Sequence, residues 1–125
     1  GCFDPGTGRP LWNRDISAVG AIDFDGRRLV AVDTRGRVHA ISDVGEPVWV
    51  QEGLAGRLLG APALVGDAVA LGDEEGYLHW LAVDDGRFVG RVRIDGSAIV
   101  SAPRRAGSLA IVQTVRGRVA AVGLD

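Results

Sequence analysis

Residues Gly72 to Gly96 read GDEEGYLHWLAVDDGRFVGRVRIDG. An acidic tight turn ends at Gly76, an aromatic and aliphatic strand follows, Asp84-Asp85-Gly86 turns the chain, and a second strand carries a charged face. Gly tolerates positive φ and Asp bonds back to its own backbone, so both suit such turns. Weaker copies lie on either side. GRRLVAVDTRGRVHAIS from Gly26, GDAVALGDEEGYLHWLA from Gly66 and GSLAIVQTVRGRVAAVG from Gly107 align without gaps. Their turn glycines, Gly36, Gly76 and Gly117, fall 40 and 41 residues apart. Pro62 and Pro103 each sit four residues before the second and third copies, and Ile22 takes that place in the first. A Gly with Trp four residues later recurs as Gly8 to Trp12 and Gly45 to Trp49; in the next copy Gly86 leads to Gly90 instead. Agreement of three features at one period marks a repeat array.

Each unit reads as four short strands, best seen as Ala61 to Val65, Ala68 to Gly72, Tyr77 to Val83 and Arg87 to Ile94. Runs such as LVAV, AVAL and LAIV are nearly continuous in apolar residues, the pattern of strands covered on both sheet faces. No 3.6-residue stripe survives the Gly and Asp punctuation, so no helix is expected. The expected fold is all-β, a β-propeller fragment of four-stranded antiparallel blades. Residues 1–16 would end one blade, 17–53 and 54–96 would form two more, and 97–125 a last blade lacking its fourth strand. Such a chain cannot close a ring of roughly 4–8 blades by itself. With no Met in the sequence, it is expected to be a C-terminal piece of a longer protein.

A net charge of −2 gives no reason to expect nucleic acid as a partner. No run approaches the roughly 18 apolar residues of a membrane helix. The single Cys2 excludes an internal disulfide and a cysteine metal cage. By repeat alignment Cys2 falls on a third strand, where it reads as a small core residue.

Several residues invite a chemical role. Asp73, Glu74 and Glu75 could hold a cation or act as an acid–base pair; the aligned turns do not repeat the cluster, and it reads as a solvated turn. His39 and His79 occupy equivalent strand positions and read as half-buried histidines without a third ligand to complete a metal site. Trp12 and Trp49 read as blade-to-blade packing, each indole contributing on the order of 2–3 kcal/mol. Arg104, Arg105, Arg116 and Arg118 read as exposed residues that discourage edge pairing. No nucleophile elbow, phosphate loop or Ser-His-Asp set occurs, so no catalytic, cofactor-binding or metal residue is assigned. One segment stays open to two readings. Gly53-Leu54-Ala55-Gly56-Arg57-Leu58-Leu59-Gly60 is an apolar link between blades. Either Leu58 and Leu59 tuck beneath the rim, or Arg57, Leu58 and Leu59 form a protein-binding patch.

Unit spacing, the Gly-to-Trp step and Ala-Pro before the second and third hairpins resemble the pyrroloquinoline-quinone-type propeller repeat. GDEEGYLHW from Gly72, DDGRFVGRVRIDGS from Asp84 and GRLLGAP from Gly56 resemble, more narrowly, the C-terminal blades of the BamB family of the outer-membrane β-barrel assembly machinery. That resemblance implies about three blades of an eight-bladed ring. It also implies a non-enzymatic scaffold without cofactor, on the periplasmic face of a Gram-negative outer membrane. Its partners would be the periplasmic domains of the central barrel-assembly subunit and unfolded outer-membrane clients, with membrane attachment through an N-terminal lipid absent from this chain. The alternatives are a fragment of a quinone-dependent dehydrogenase, which one Cys and no Lys fit poorly, and a generic propeller interaction module. Open blade faces and an unpaired edge should make the isolated chain form oligomers or strand-swapped dimers. Light scattering tests this, and a cooperatively folded monomer would contradict it.

Overall fold

The computed structural model describes residues 2–3, 10–12, 19–99 and 101–124, with side chains from residue 20 onward. No helix occurs among them. Strands β1 (Cys2–Phe3) and β2 (Pro10–Trp12) pair antiparallel. The first full sheet follows in chain order: β3 (Val19–Phe24), β4 (Arg28–Asp33), β5 (Val38–Ser42) and β6 (Pro47–Gln51). The second is β7 (Ala63–Val65), β8 (Ala68–Gly72), β9 (Tyr77–Ala82) and β10 (Phe88–Arg93). The third holds β11 (Arg104–Ala106), β12 (Leu109–Gln113) and β13 (Val119–Gly123). Each is an antiparallel meander, so every strand pairs with its neighbour in sequence. The first strand of the second sheet, β7, touches both β3 and β11. The readings of Cys2 and Trp12 as packed side chains lie outside the described residues.

Alternation explains how one run of sequence serves two cores. Leu64, Val69, Leu71, Leu81 and Val83 point toward the first sheet and pack with Val30, Val32, Val38 and Ala40. Ala63, Val65, Ala68, Ala70, Leu78 and Trp80 point the other way and pack with Ala110 and Val112 of the third sheet. All five residues of β8 are therefore buried. In the third sheet the apolar run LAIV behaves differently. Ala110 and Val112 are buried while Leu109 is 40% exposed. Continuous hydrophobicity there does not mean two covered faces, because no described sheet of this chain packs on the far side.

Turn chemistry sets where the strands reverse. Gly36, Gly76 and Gly117 all sit at positive φ, between 85° and 93°. At Gly36 a Cβ would lie 2.6 Å from the Leu54 carbonyl, and at Gly76 it would overlap the Asp95 carbonyl. Both glycines are thus required twice, by conformation and by a link crossing directly over them. At Gly117 only the conformation requires it, since nothing lies within 4 Å. Pro62 and Pro103 are both buried at the entry to the first strand of their sheets.

Trp49 is half-buried and bridges the first two sheets. Its indole Nε1 donates to the Val83 carbonyl at 2.7 Å, and its ring covers Gly86 so closely that a Cβ there would meet it at 2.5 Å. Where the repeat has Gly90 in place of this Trp, the space is taken by Leu124 and Trp80. Replacing Trp49 with Ala removes both ring and donor and should cost about 3 kcal/mol in urea unfolding. Trp49→Phe keeps a smaller aromatic ring without the donor and should cost only about 1 kcal/mol. A change below about 1 kcal/mol for Trp49→Ala would make the indole a surface ornament.

Candidate functional site

The turns between second and third strands and the links between sheets lie at the same end of the molecule. There the sequence brings acids close to strand histidines. Asp33 and Asp73 begin equivalent turns, and His39 and His79 follow each by six residues. A strand pairing places that histidine back beside its aspartate. His79 Nε2 lies 2.7 Å from Asp73 Oδ2, and His39 Nε2 lies 2.9 Å from Asp33 Oδ2. The other oxygen of each carboxylate accepts two backbone N–H groups, from Glu75 and Tyr77 at Asp73 and from Arg35 and Arg37 at Asp33.

The two sites differ in their guanidinium. Asp33 takes it from its own turn, with Arg37 Nε at 2.8 Å. At the position of Arg37 the second sheet has Tyr77, whose ring lies under Arg91 and Arg93. Asp73 instead receives Arg57 Nη1 at 3.1 Å, from the link between sheets. In the third sheet Thr114 replaces the aspartate. It is buried and donates through Oγ1 to Asp95 Oδ2, again a residue of the preceding link.

Asp73 is fully buried, which corrects its reading as part of a solvated turn. Only Glu75 of that cluster is exposed, while Glu74 is half-buried and reaches back to accept the Leu58 amide at 2.8 Å. His79 is buried rather than half-buried. The signal for both was present, because Asp and His recur together one repeat apart at the same spacing. Scanning the turn for its acids as a group conceals the one that pairs.

The link itself is held along its length. Gly56 N donates to Arg35 O, Arg57 N to Leu54 O, and Gly60 N to Gly72 O, while Leu59 and Asp73 form an isolated β-bridge. Leu54 is buried and Leu59 packs against the core between the first two sheets. Leu58 alone turns outward, 74% exposed and the most exposed large hydrophobic among the described residues. The two readings of this segment therefore divide between its residues. Arg57 lies between two clefts of about 400 Å³. One is walled by Val32, Thr34 and Leu59, the other by Leu54, His79 and Phe88.

Burial by itself would raise the Asp73 carboxyl. The His79 ring and the Tyr77 and Glu75 amides outweigh it and hold the group below its ordinary value of 3.8. At Asp33 burial is likewise overcome, by the His39 ring, Arg37 and the Arg35 amide, and the carboxyl is held far lower. A depressed folded pKa contributes stability that is complete above the unfolded value and is lost as pH falls toward the folded one. Unfolding free energy should therefore decline as pH drops below about 4. Asp73→Asn should cost about 3 kcal/mol at neutral pH by breaking a buried pair. Its deficit relative to the parent should shrink in acid; a deficit constant from pH 7 to pH 3 would contradict the assignment.

The family model for outer membrane protein assembly factor BamB matches residues 1–125. BamB of Bordetella pertussis is 44% identical over 123 residues, covering 97% of this chain and 32% of that protein. BamB of Escherichia coli K12 is 37% identical over 118 residues, covering 94% of this chain and 30% of that protein. This chain thus spans about a third of the length of the curated relatives it matches. Among solved structures, BamB of Moraxella catarrhalis superposes with a TM-score of 0.83 at 26% identity, covering 95% of this chain and 35% of that one. The designed protein Ika4 also superposes at 0.83, with 20% identity over 98% of this chain and 78% of its own, a likeness of fold alone. Strand order, sheet packing and sequence agree that the fold is a β-propeller fragment and that the chain belongs to the BamB family of outer membrane protein assembly factors.

Proposed function

We propose that this chain forms about three C-terminal blades of an eight-bladed ring. The ring serves as a non-enzymatic scaffold in outer-membrane β-barrel protein assembly. It works at the periplasmic face of a Gram-negative outer membrane, attached through a lipid anchor. It docks onto the periplasmic domains of the central barrel-assembly subunit and assists that subunit's unfolded clients. Support comes from the names of the relatives and from the share of their length that this chain covers.

The observation that carries the contact itself is Leu58. An exposed leucine on a loop tied down before and after it costs little ordering entropy when a partner covers it. Arg57 and the half-buried Leu59 flank it, and arginine beside an apolar anchor is a composition typical of interface centres. The full-length parent should bind the purified periplasmic domains of the barrel-assembly subunit at micromolar concentration or tighter. Leu58→Glu should weaken that binding at least about tenfold, the effect of about 1.4 kcal/mol, and leave the thermal midpoint unchanged. Absence of binding by the parent sinks the function, and unaltered binding by Leu58→Glu moves the contact elsewhere.

A further inference from the structure

We infer that the buried Asp73–His79 pair is the positioning element of the docking link, holding Arg57 so that Leu58 is presented in one orientation. The inference rests on the docking role proposed for that link. It starts from a difference between two copies of one device. In the first sheet the buried aspartate is satisfied inside its own turn by Arg37. In the second sheet Tyr77 stands at that position, and the aspartate takes its guanidinium from the link. The exchange converts a self-contained turn into a clamp on a neighbouring segment.

The geometry fits a clamp. His79 Nε2 and Arg57 Nη1 both reach the same oxygen, Asp73 Oδ2, at 2.7 and 3.1 Å. An ionised carboxylate only accepts, so the histidine nitrogen facing it donates. His79, 1% exposed, thereby fixes the carboxylate, and the carboxylate fixes the arginine. The adjoining residues are tied to the same turn: Leu58 N to Glu74 Oε2, and Gly60 N to Gly72 O. Glu75 adds a longer contact to Arg57 at 3.7 Å. Leu58 is left as the one outward leucine of a segment secured on both sides. Asp73 and His79 themselves touch no partner; they act through Arg57.

The copy in the first sheet supplies the test. Tyr77→Arg restores the residue found at Arg37 and should capture Asp73 from within the turn, releasing Arg57. In the full-length protein we expect the thermal midpoint to stay near that of the parent. Amide exchange at Leu58 and Gly60 should rise at least about tenfold, and affinity for the periplasmic domains of the barrel-assembly subunit should fall at least about fivefold. Tyr77→Leu removes the same ring without supplying a guanidinium and should change neither exchange nor affinity. Arg57→Met gives a second route that leaves the buried pair in place, and it too should raise exchange at Leu58 and Gly60 about tenfold. Unchanged protection of these amides in Arg57→Met, or in a folded Tyr77→Arg, overturns the positioning role whatever the partner does. A loosened link with undiminished affinity overturns its connection to docking. A parent protein that does not bind the domains at all overturns the functional reading, while the exchange data still decide whether the pair holds the link.

Discussion

A carboxylate without water around it must be surrounded by donors, and at Asp73 those donors come from three different parts of the chain. The turn supplies the Glu75 and Tyr77 amides, the returning strand supplies His79, and the preceding link supplies Arg57. The main chain of the same residue works in both directions as well. Its N–H donates to Tyr77 O, and its carbonyl accepts from Gly76 and from Ile99 of the following link. Turn, strand and both flanking links meet at one buried charge. Removing a donor leaves that charge uncompensated, which is why polar groups at such a place hold geometry more firmly than apolar contacts of similar area.

Around this point the apolar packing is less specific but larger in extent. The second sheet has a core on each side, one shared with the first sheet and one with the third. Its strands therefore carry Leu and Val toward the first sheet, and toward the third Ala63, Ala68 and Ala70 together with Val65, Leu78 and Trp80. The Trp49 indole crosses the first junction and Trp80 fills the second. Two tryptophans thus serve the two junctions from different repeat positions, and at Gly90, where the repeat lacks its Trp, Leu124 and Trp80 stand nearest.

Much of this was legible in the sequence. Forty-residue spacing, Asp-Gly turns and continuous apolar runs are local or periodic signals, and they led to sheets and strand order, while the family came from the resemblance carried by Gly72 to Ser97. The link was also visible as an unusual apolar segment. What could not be read was the fate of each side chain within it. Whether Leu58 or Leu59 points outward depends on the bridge between Leu59 and Asp73, a pairing between residues in different elements. The burial of Asp73 was missed for a related reason. Three consecutive acids look like solvent-facing charge, and only the strand partner His79, six residues on, marks one as interior. At Leu109 the local pattern misled in the opposite sense, because strand composition records what a sheet can bury and its neighbours decide what it does bury.

The arrangement at Arg57 also bears on how such repeats can be rearranged. A cut at the sheet boundaries, near Ala61, would divide a side chain from the carboxylate it neutralises, since the guanidinium precedes the first strand of the sheet it completes. A module that keeps this site whole for grafting or permutation therefore begins at Leu54, upstream of the strands. It must end beyond Ile99, whose amide closes the same turn from the other side. Modules of this kind overlap like roof tiles. Exchange among them keeps its chemistry only when the overlap travels along.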